Sequence, residues 1–258
     1  MKRKLFAFDI DGTLLNSQKE ILDSTVTSLD SLRKSGHVVM VATGRSRFLI
    51  QDILDKLELE NYVVCNGSAA FMNHQQVYKN TLNSKILQEL ISSLNQKKID
   101  IAVTSLDGIR RTSSINVPKM DEVMISLGGS LPEYDLNYAD ENEIYQGLAF
   151  FGEEVDNKFE ADFPEFRFVR WHEYCVDVIP KMGSKAATII QLAEKLNISR
   201  KDIITFGDGN NDLEMLKLSG VGIAMGNASQ QVKQVADIIT DSNDNDGIYR
   251  ALKNLEVL

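Results

Sequence analysis

Two aspartates separated by one residue, Asp9-Ile10-Asp11, stand directly behind a short apolar run ending at Phe8 and are followed by Gly12 and Thr13. Carboxylates this close repel each other when both are ionised, so the pair requires a cation or a retained proton. Phosphoryl transfer can use both arrangements. An ionised Asp9 can attack phosphorus, while a carboxyl at Asp11 can protonate the departing alcohol and later activate water. Gly12 permits a tight turn whose N–H groups can face phosphate oxygens. Asp-x-Asp-Gly is also an ordinary surface turn after a strand, so the assignment depends on what else arrives at the same place.

Two further clusters follow apolar runs in the same way: Thr43-Gly44-Arg45 after His37 to Ala42, and Gly207-Asp208-Gly209-Asn210-Asn211-Asp212 after Ile203 to Phe206. If the runs are strands of one parallel sheet, all three clusters lie at its carboxyl edge, where open α/β folds place their ligands. A hard cation such as Mg2+ would be served there by Asp9, Asp208, Asp212, a main-chain carbonyl and water. His37, His74 and His172 have no ligand spacing and read as structural or exposed. Lys185 opens a helical stretch, so its ammonium and the helix N-terminus can both face a phosphate.

The elements that must position these groups alternate as strand and helix. Lys4 to Phe8, His37 to Ala42 and Tyr62 to Cys65 read as buried strands, separated by helices over Lys19 to Ser35 and Ser46 to Leu57. A hairpin turning at Asn73-His74 breaks the alternation. The pattern then becomes α+β, with a helix around Lys85 to Asn95 and strands near Ile101 to Val103, Ile109 to Thr112, Arg167 to Trp171 and Cys175 to Ile179. From Ser184 the alternation resumes, with a helix to Leu196 and strands at Ile203 to Phe206, Val221 to Ala224 and Ile238-Ile239. The expectation is an α/β fold, a Rossmann-like doubly wound parallel sheet over residues 1–81 and 182–258, with an α+β unit inserted over residues 82–181.

The composition, 43% hydrophobic and 25% charged over 258 residues, is that of a globular chain. Its net charge of −9 argues against a nucleic-acid partner, since basic residues are scattered rather than clustered. The same balance means that an anionic substrate needs a metal and locally placed cations. The apolar run after the basic N-terminus stops at Asp9, so neither export nor a membrane span is expected. Cys65 and Cys175 lie in apolar stretches and read as buried thiols, consistent with an expected cytoplasmic location.

Together the motifs resemble those of the haloacid dehalogenase superfamily, specifically its Cof-type class IIB phosphatases. Asp9-Ile10-Asp11-Gly12-Thr13-Leu14 is similar to the first family motif, Thr43-Gly44-Arg45 to the second, Lys185 to the third, and Gly207-Asp208 through Asp212 to the fourth. The resemblance implies that Asp9 is nucleophile and Mg2+ ligand, Asp11 the general acid/base whose carbonyl also touches the metal, and Asp208 and Asp212 metal-site carboxylates. Thr43, Gly44, Lys185 and Asn211 would hold phosphate, with Arg45 on the substrate side. Cys65-Asn66-Gly67-Ser68 resembles the family's Asn-Gly-Ala turn, so Asn66 and Gly67 would shape the substrate cavity. The inserted unit would be the cap that selects substrates. Met182-Gly183-Ser184-Lys185-Ala186 departs from many relatives in having Ala after the lysine, a helix-compatible change.

The expected activity is therefore Mg2+-dependent hydrolysis of small phosphorylated metabolites, sugar phosphates foremost, by a monomer or small homo-oligomer. Two readings stay open beside it: a non-catalytic phosphometabolite-binding regulator and a phosphomutase. A dinucleotide role is disfavoured because no Gly-x-Gly-x-x-Gly follows the first strand.

Overall fold

The run Leu5–Phe8 and its neighbour Val38–Ala42 are apolar and buried throughout, as strands covered on both faces of a parallel sheet must be. The computed structural model describes residues 2–258. In chain order the first elements are β1 (Leu5–Phe8), α1 (Asp23–Lys34), β2 (Val38–Ala42), α2 (Gln51–Leu57), β3 (Tyr62–Val64), β4 (Ala69–Met72) and β5 (Gln75–Lys79). Next come α3 (Ser84–Gln96), β6 (Asp100–Thr104), β7 (Ile109–Arg111), α4 (Val117–Ser126), β8 (Glu133–Tyr134), α5 (Tyr138–Glu141), β9 (Gln146–Phe150), β10 (Phe166–His172) and β11 (Cys175–Pro180). The chain ends with α6 (Lys185–Lys195), β12 (Ile203–Gly207), α7 (Leu213–Leu218), β13 (Val221–Ala224), α8 (Gln230–Val235), β14 (Ile238–Ile239) and α9 (Gly247–Asn254).

The chain divides into two compact units. One comprises the segments up to Arg45, Leu49–Lys79 and Ser184–Leu258; the other comprises Ser46–Phe48 and Asn80–Gly183. In the first unit the strands run β14-β13-β12-β1-β2-β3-β4-β5, parallel from β14 to β3 and antiparallel at β4 and β5. The chain winds from β1 outward through β2 and β3, then returns to β12 and winds the other way through β13 and β14. The direction of winding therefore switches between β1 and β12, the point where such sheets open a crevice at their carboxyl ends. Alternation along the strands sends Leu5, Ala7, Val38, Met40 and Ala42 to the face covered by Ile189, Leu192 and Ala193 of α6. Phe6, Phe8, Val39 and Val41 point the other way, where α1 packs beside α9.

In the second unit the sheet order is β10-β11-β9-β6-β7-β8. Leu87, Leu90, Ile91 and Leu94 of α3 form one apolar cluster with Ile101, Val103, Val176 and Val178. Met120, Val123 and Met124 of α4 form another with Ala102, Leu148, Phe150 and Cys175. The observed fold class is the α/β sheet with an inserted α+β unit expected from the sequence. Both cysteines are buried, and burial, with the charge of Asp177, pushes the Cys175 thiol well up from its ordinary value.

The single helix expected over Ser46 to Leu57 is instead a short 3-10 turn, Arg47–Leu49, followed by α2. Phe48 explains the break: its ring packs on the α4 cluster, and its N–H donates to the Leu106 carbonyl at 3.2 Å. Both contacts belong to the second unit, so the segment cannot continue the helix of the first.

Candidate active site

Because β12, β1, β2 and β3 are adjacent, the residues that follow them are brought together at one edge. Asp9 continues β1, its N–H donating to the Phe206 carbonyl at 3.0 Å, and Thr43 continues β2 with its N–H on Val63 at 2.9 Å. Asp208 follows β12 directly. Gly12, with φ +74°, makes the turn after Asp9 and has no room for a side chain, since a Cβ would lie 2.1 Å from Asp208 Oδ2. Thr13 Oγ1 donates to Asp208 Oδ1 at 3.1 Å. The glycine thus lets the first and last motifs approach each other.

Lys185, the first residue of α6, reaches into this edge with its side chain 1% exposed. Its Nζ lies 2.7 Å from Asp9 Oδ1 and 2.8 Å from Asp212 Oδ1. Asp212, wholly buried, also accepts the Asp208 and Gly209 N–H groups on its second oxygen at 3.1 and 3.0 Å. Asp9, Asp208 and Asp212 each present an oxygen within 4.8 Å of the others'. Burial, with the charge of Asp212, raises Asp9 well above the ordinary carboxylate range, against the pull of Lys185. The same two causes push Asp208 up to about 7, whereas the two carboxylates beside Lys185 keep its ammonium protonated despite burial.

Three carboxylates facing one ammonium leave the cluster two charges negative when all are ionised. A divalent cation with oxygen ligands supplies the missing balance, so the donor set fits a metal of that class. Among the described residues this is the group of carboxylate, histidine or cysteine side chains placed to hold one.

Asp11 lies outside that cluster. Its two oxygens accept from Arg45 Nε and Nη2, both at 2.7 Å, and Lys19 Nζ adds a third contact at 3.1 Å. Burial acts to raise Asp11, but the bidentate Arg45 fork and the two positive charges outweigh it and hold the carboxyl below its usual range. The guanidinium expected on the substrate side is thus joined to Asp11.

The segment Cys65–Gly67 holds three successive residues in the left-handed region, with φ of 51°, 52° and 94°, a rare conformation for the first two. Two bonds tie it to the second motif: the Cys65 N–H to the Arg45 carbonyl at 2.9 Å and the Asn66 N–H to the Thr43 carbonyl at 3.0 Å. Asn66 is buried, and its Oδ1 accepts from Asn211 Nδ2 at 3.3 Å. A side chain on Gly44 would lie 3.2 Å from the Asn66 amide. Gly67 backs onto the start of α6, where an added Cβ would meet the Ser184 carbonyl oxygen at 2.3 Å. Gly67→Ala is therefore expected to cost more than about 1 kcal/mol of stability, since both the conformation and the space exclude a side chain. Urea unfolding measures it, and a neutral substitution would contradict the packing described.

Sequence reasoning overlooked Lys19 and Asn227. Asn227 Nδ2 donates to the Gly12 carbonyl at 2.8 Å and to Asp208 Oδ2 at 3.3 Å. Neither residue lies in a recognisable chemical spacing; Lys19 lies in a polar loop with φ 62°, and Asn227 in the turn after β13. The histidines fall where they were expected: His37 Nδ1 accepts the Lys4 N–H at 3.2 Å and His172 Nδ1 the Tyr174 N–H at 3.1 Å. No helix among the described residues is long and apolar enough to cross a membrane.

Comparison with known proteins agrees with this arrangement. The family model for haloacid dehalogenase-like hydrolases matches residues 6–252. Bacillus subtilis YkrA is 38% identical over 258 residues, covering the whole of both chains. The 5-amino-6-(5-phospho-D-ribitylamino)uracil phosphatase YcsE of the same organism is 26% identical over 97% of this chain and 95% of its own. The solved structure of the subclass IIB sugar phosphatase BT4131 superposes with a TM-score of 0.88 at 26% identity, over 99% of this chain and all of the other. Matched by the family model over residues 6–252 and alike over its whole length to such phosphatases, the chain belongs to the haloacid dehalogenase-like hydrolases, as a class IIB, Cof-type phosphatase.

Proposed function

We propose that the protein hydrolyses small phosphate monoesters, sugar phosphates foremost, by passing the phosphoryl group through Asp9. The observation that carries this reading is the buried cluster in which Lys185 grips Asp9 beside Asp208 and Asp212. Asp9, Asp208 and Asp212, with the Asp11 carbonyl, would hold Mg2+, which when bound neutralises charge on the phosphoryl oxygens. Lys185 fixes the direction of Asp9 and pulls it toward the ionised form that an attacking carboxylate needs, against burial and the charge of Asp212. Thr43, Gly44 and Asn211 are assigned to the phosphate, braced from behind by Asn66 and Gly67.

A carboxylate oxygen of Asp9 attacks phosphorus, the bond to the leaving oxygen breaks, and Asp11 gives that oxygen its proton. Asp11 then takes a proton from water, whose oxygen attacks phosphorus; the bond to Asp9 breaks and inorganic phosphate leaves. To act as the acid, Asp11 must leave the Arg45 fork and take up a proton from solvent, and a dianionic phosphate arriving beside Thr43 competes for that guanidinium. Asp11→Asn should lower turnover of alkyl phosphates by roughly 10²–10⁴-fold; an unchanged rate would remove Asp11 from the proton-transfer role. Residues 82–181 are assigned to substrate selection.

The test is phosphate release from sugar phosphates, pyridoxal phosphate, flavin mononucleotide and 5-amino-6-(5-phospho-D-ribitylamino)uracil, each with Mg2+ and with chelator. Metal-dependent release favouring sugar phosphates is expected. Preference for the uracil compound would instead align the substrate with that of YcsE, and transfer to a second hydroxyl without free phosphate would mark a mutase.

A further inference from the structure

Asp208 is held from two sides. Thr13 Oγ1 donates to Oδ1 at 3.1 Å, and Asn227 Nδ2 donates to Oδ2 at 3.3 Å while its other hydrogen goes to the Gly12 carbonyl at 2.8 Å. The orientation of the Asn227 amide is settled by its neighbours. Its Oδ1 accepts the Asn243 N–H at 3.0 Å, and a flipped amide would place that oxygen against a carbonyl and a carboxylate. The same loop braces the chain after the first motif: Asn243 Nδ2 donates to the Leu15 carbonyl at 2.8 Å, and Asp244 Oδ1 accepts the Ser17 N–H at 2.9 Å. Asn227 therefore ties the turn carrying Asp9 and Asp11 to a carboxylate from the opposite end of the chain.

We infer that Asn227 is a positioning residue for the cation site, fixing the direction of the Asp208 carboxylate and its distance from the Asp9 turn. This rests on the reading of Asp208 as a metal ligand. An outer hydrogen-bond partner of a ligating carboxylate sets the angle at which its oxygens meet the ion, and losing such a partner typically weakens metal binding. Asn227 is exposed, so its removal opens no cavity in the core, and what is lost is its bonds to Asp208, Gly12 and Asn243.

The experiment titrates wild type and Asn227→Ala with Mn2+, reading free ion by electron paramagnetic resonance, alongside thermal unfolding of both proteins in chelator. The dissociation constant for Mn2+ should rise about 10-fold or more, while the unfolding temperature in chelator stays that of the wild type. Equal affinity for the two proteins would overturn the inference, as would an affinity loss matched by a lower unfolding temperature, which marks general loosening of the loop. A wild type that binds no Mn2+ would overturn the metal reading itself and this inference with it.

Discussion

Asp9→Asn should abolish turnover, with a loss on the order of 10⁴–10⁶-fold, while leaving the protein folded. The amide is nearly isosteric but cannot form the acyl phosphate. Lys185 retains its second partner, Asp212 at 2.8 Å, so the ammonium is not stranded. Burial and the charge of Asp212 both oppose ionisation of Asp9, so replacing it removes an unfavourable charge. In chelator the variant should therefore unfold at or above the wild-type temperature. A variant that is both inactive and markedly unstable would mean that Asp9 supports the fold as much as the chemistry; substantial residual activity would rule it out as nucleophile.

Lys185→Met reverses that balance. The lysine side chain is 1% exposed and the partner side chains of Asp9 and Asp212 are 7% and 0% exposed, so solvent does little to screen the charges left behind. Breaking a buried ion pair by removing one partner typically costs about 3–5 kcal/mol, and that is the loss expected in urea unfolding with chelator present. Turnover should fall as well, because Asp9 loses both its direction and the positive charge that opposes its neutralisation. Combining Lys185→Met with Asp9→Asn should recover part of the lost stability, since one unpaired carboxylate is then gone. A single-variant cost below about 1 kcal/mol would contradict the pairing, as that is the range of exposed ion pairs.

The sheet strands that present the site were legible because they are short, mostly apolar and set between helical periodicities; β1, β2, β12 and β13 fall within a residue of their expected positions. The inserted unit was harder to read. Its central strand β9, Gln146–Phe150, includes Gln, Gly and Ala, none a strong strand former, and takes its order from pairing with β6 and β11 on either side. The α4 helix was passed over although Asn116 caps it through the Lys119 N–H and Pro118 lies in its first turn. At the site, residue type and spacing pointed to the aspartates and Lys185, but the Arg45–Asp11 fork and the Asn227 brace are tertiary contacts between loops. The Cys65–Gly67 turn shows the same limit in part: Asn66 and Gly67 are residue types that accept a left-handed backbone, but Cys65 is not, and its N–H is tied to the Arg45 carbonyl.

The central claim is that phosphate passes through Asp9. Wild-type protein turning over a sugar phosphate with Mg2+, quenched and reduced with borohydride, should carry a carboxyl-to-alcohol conversion at Asp9 that peptide mass spectrometry locates, absent with chelator. Turnover without modification of Asp9, or with modification of another carboxylate, would contradict it.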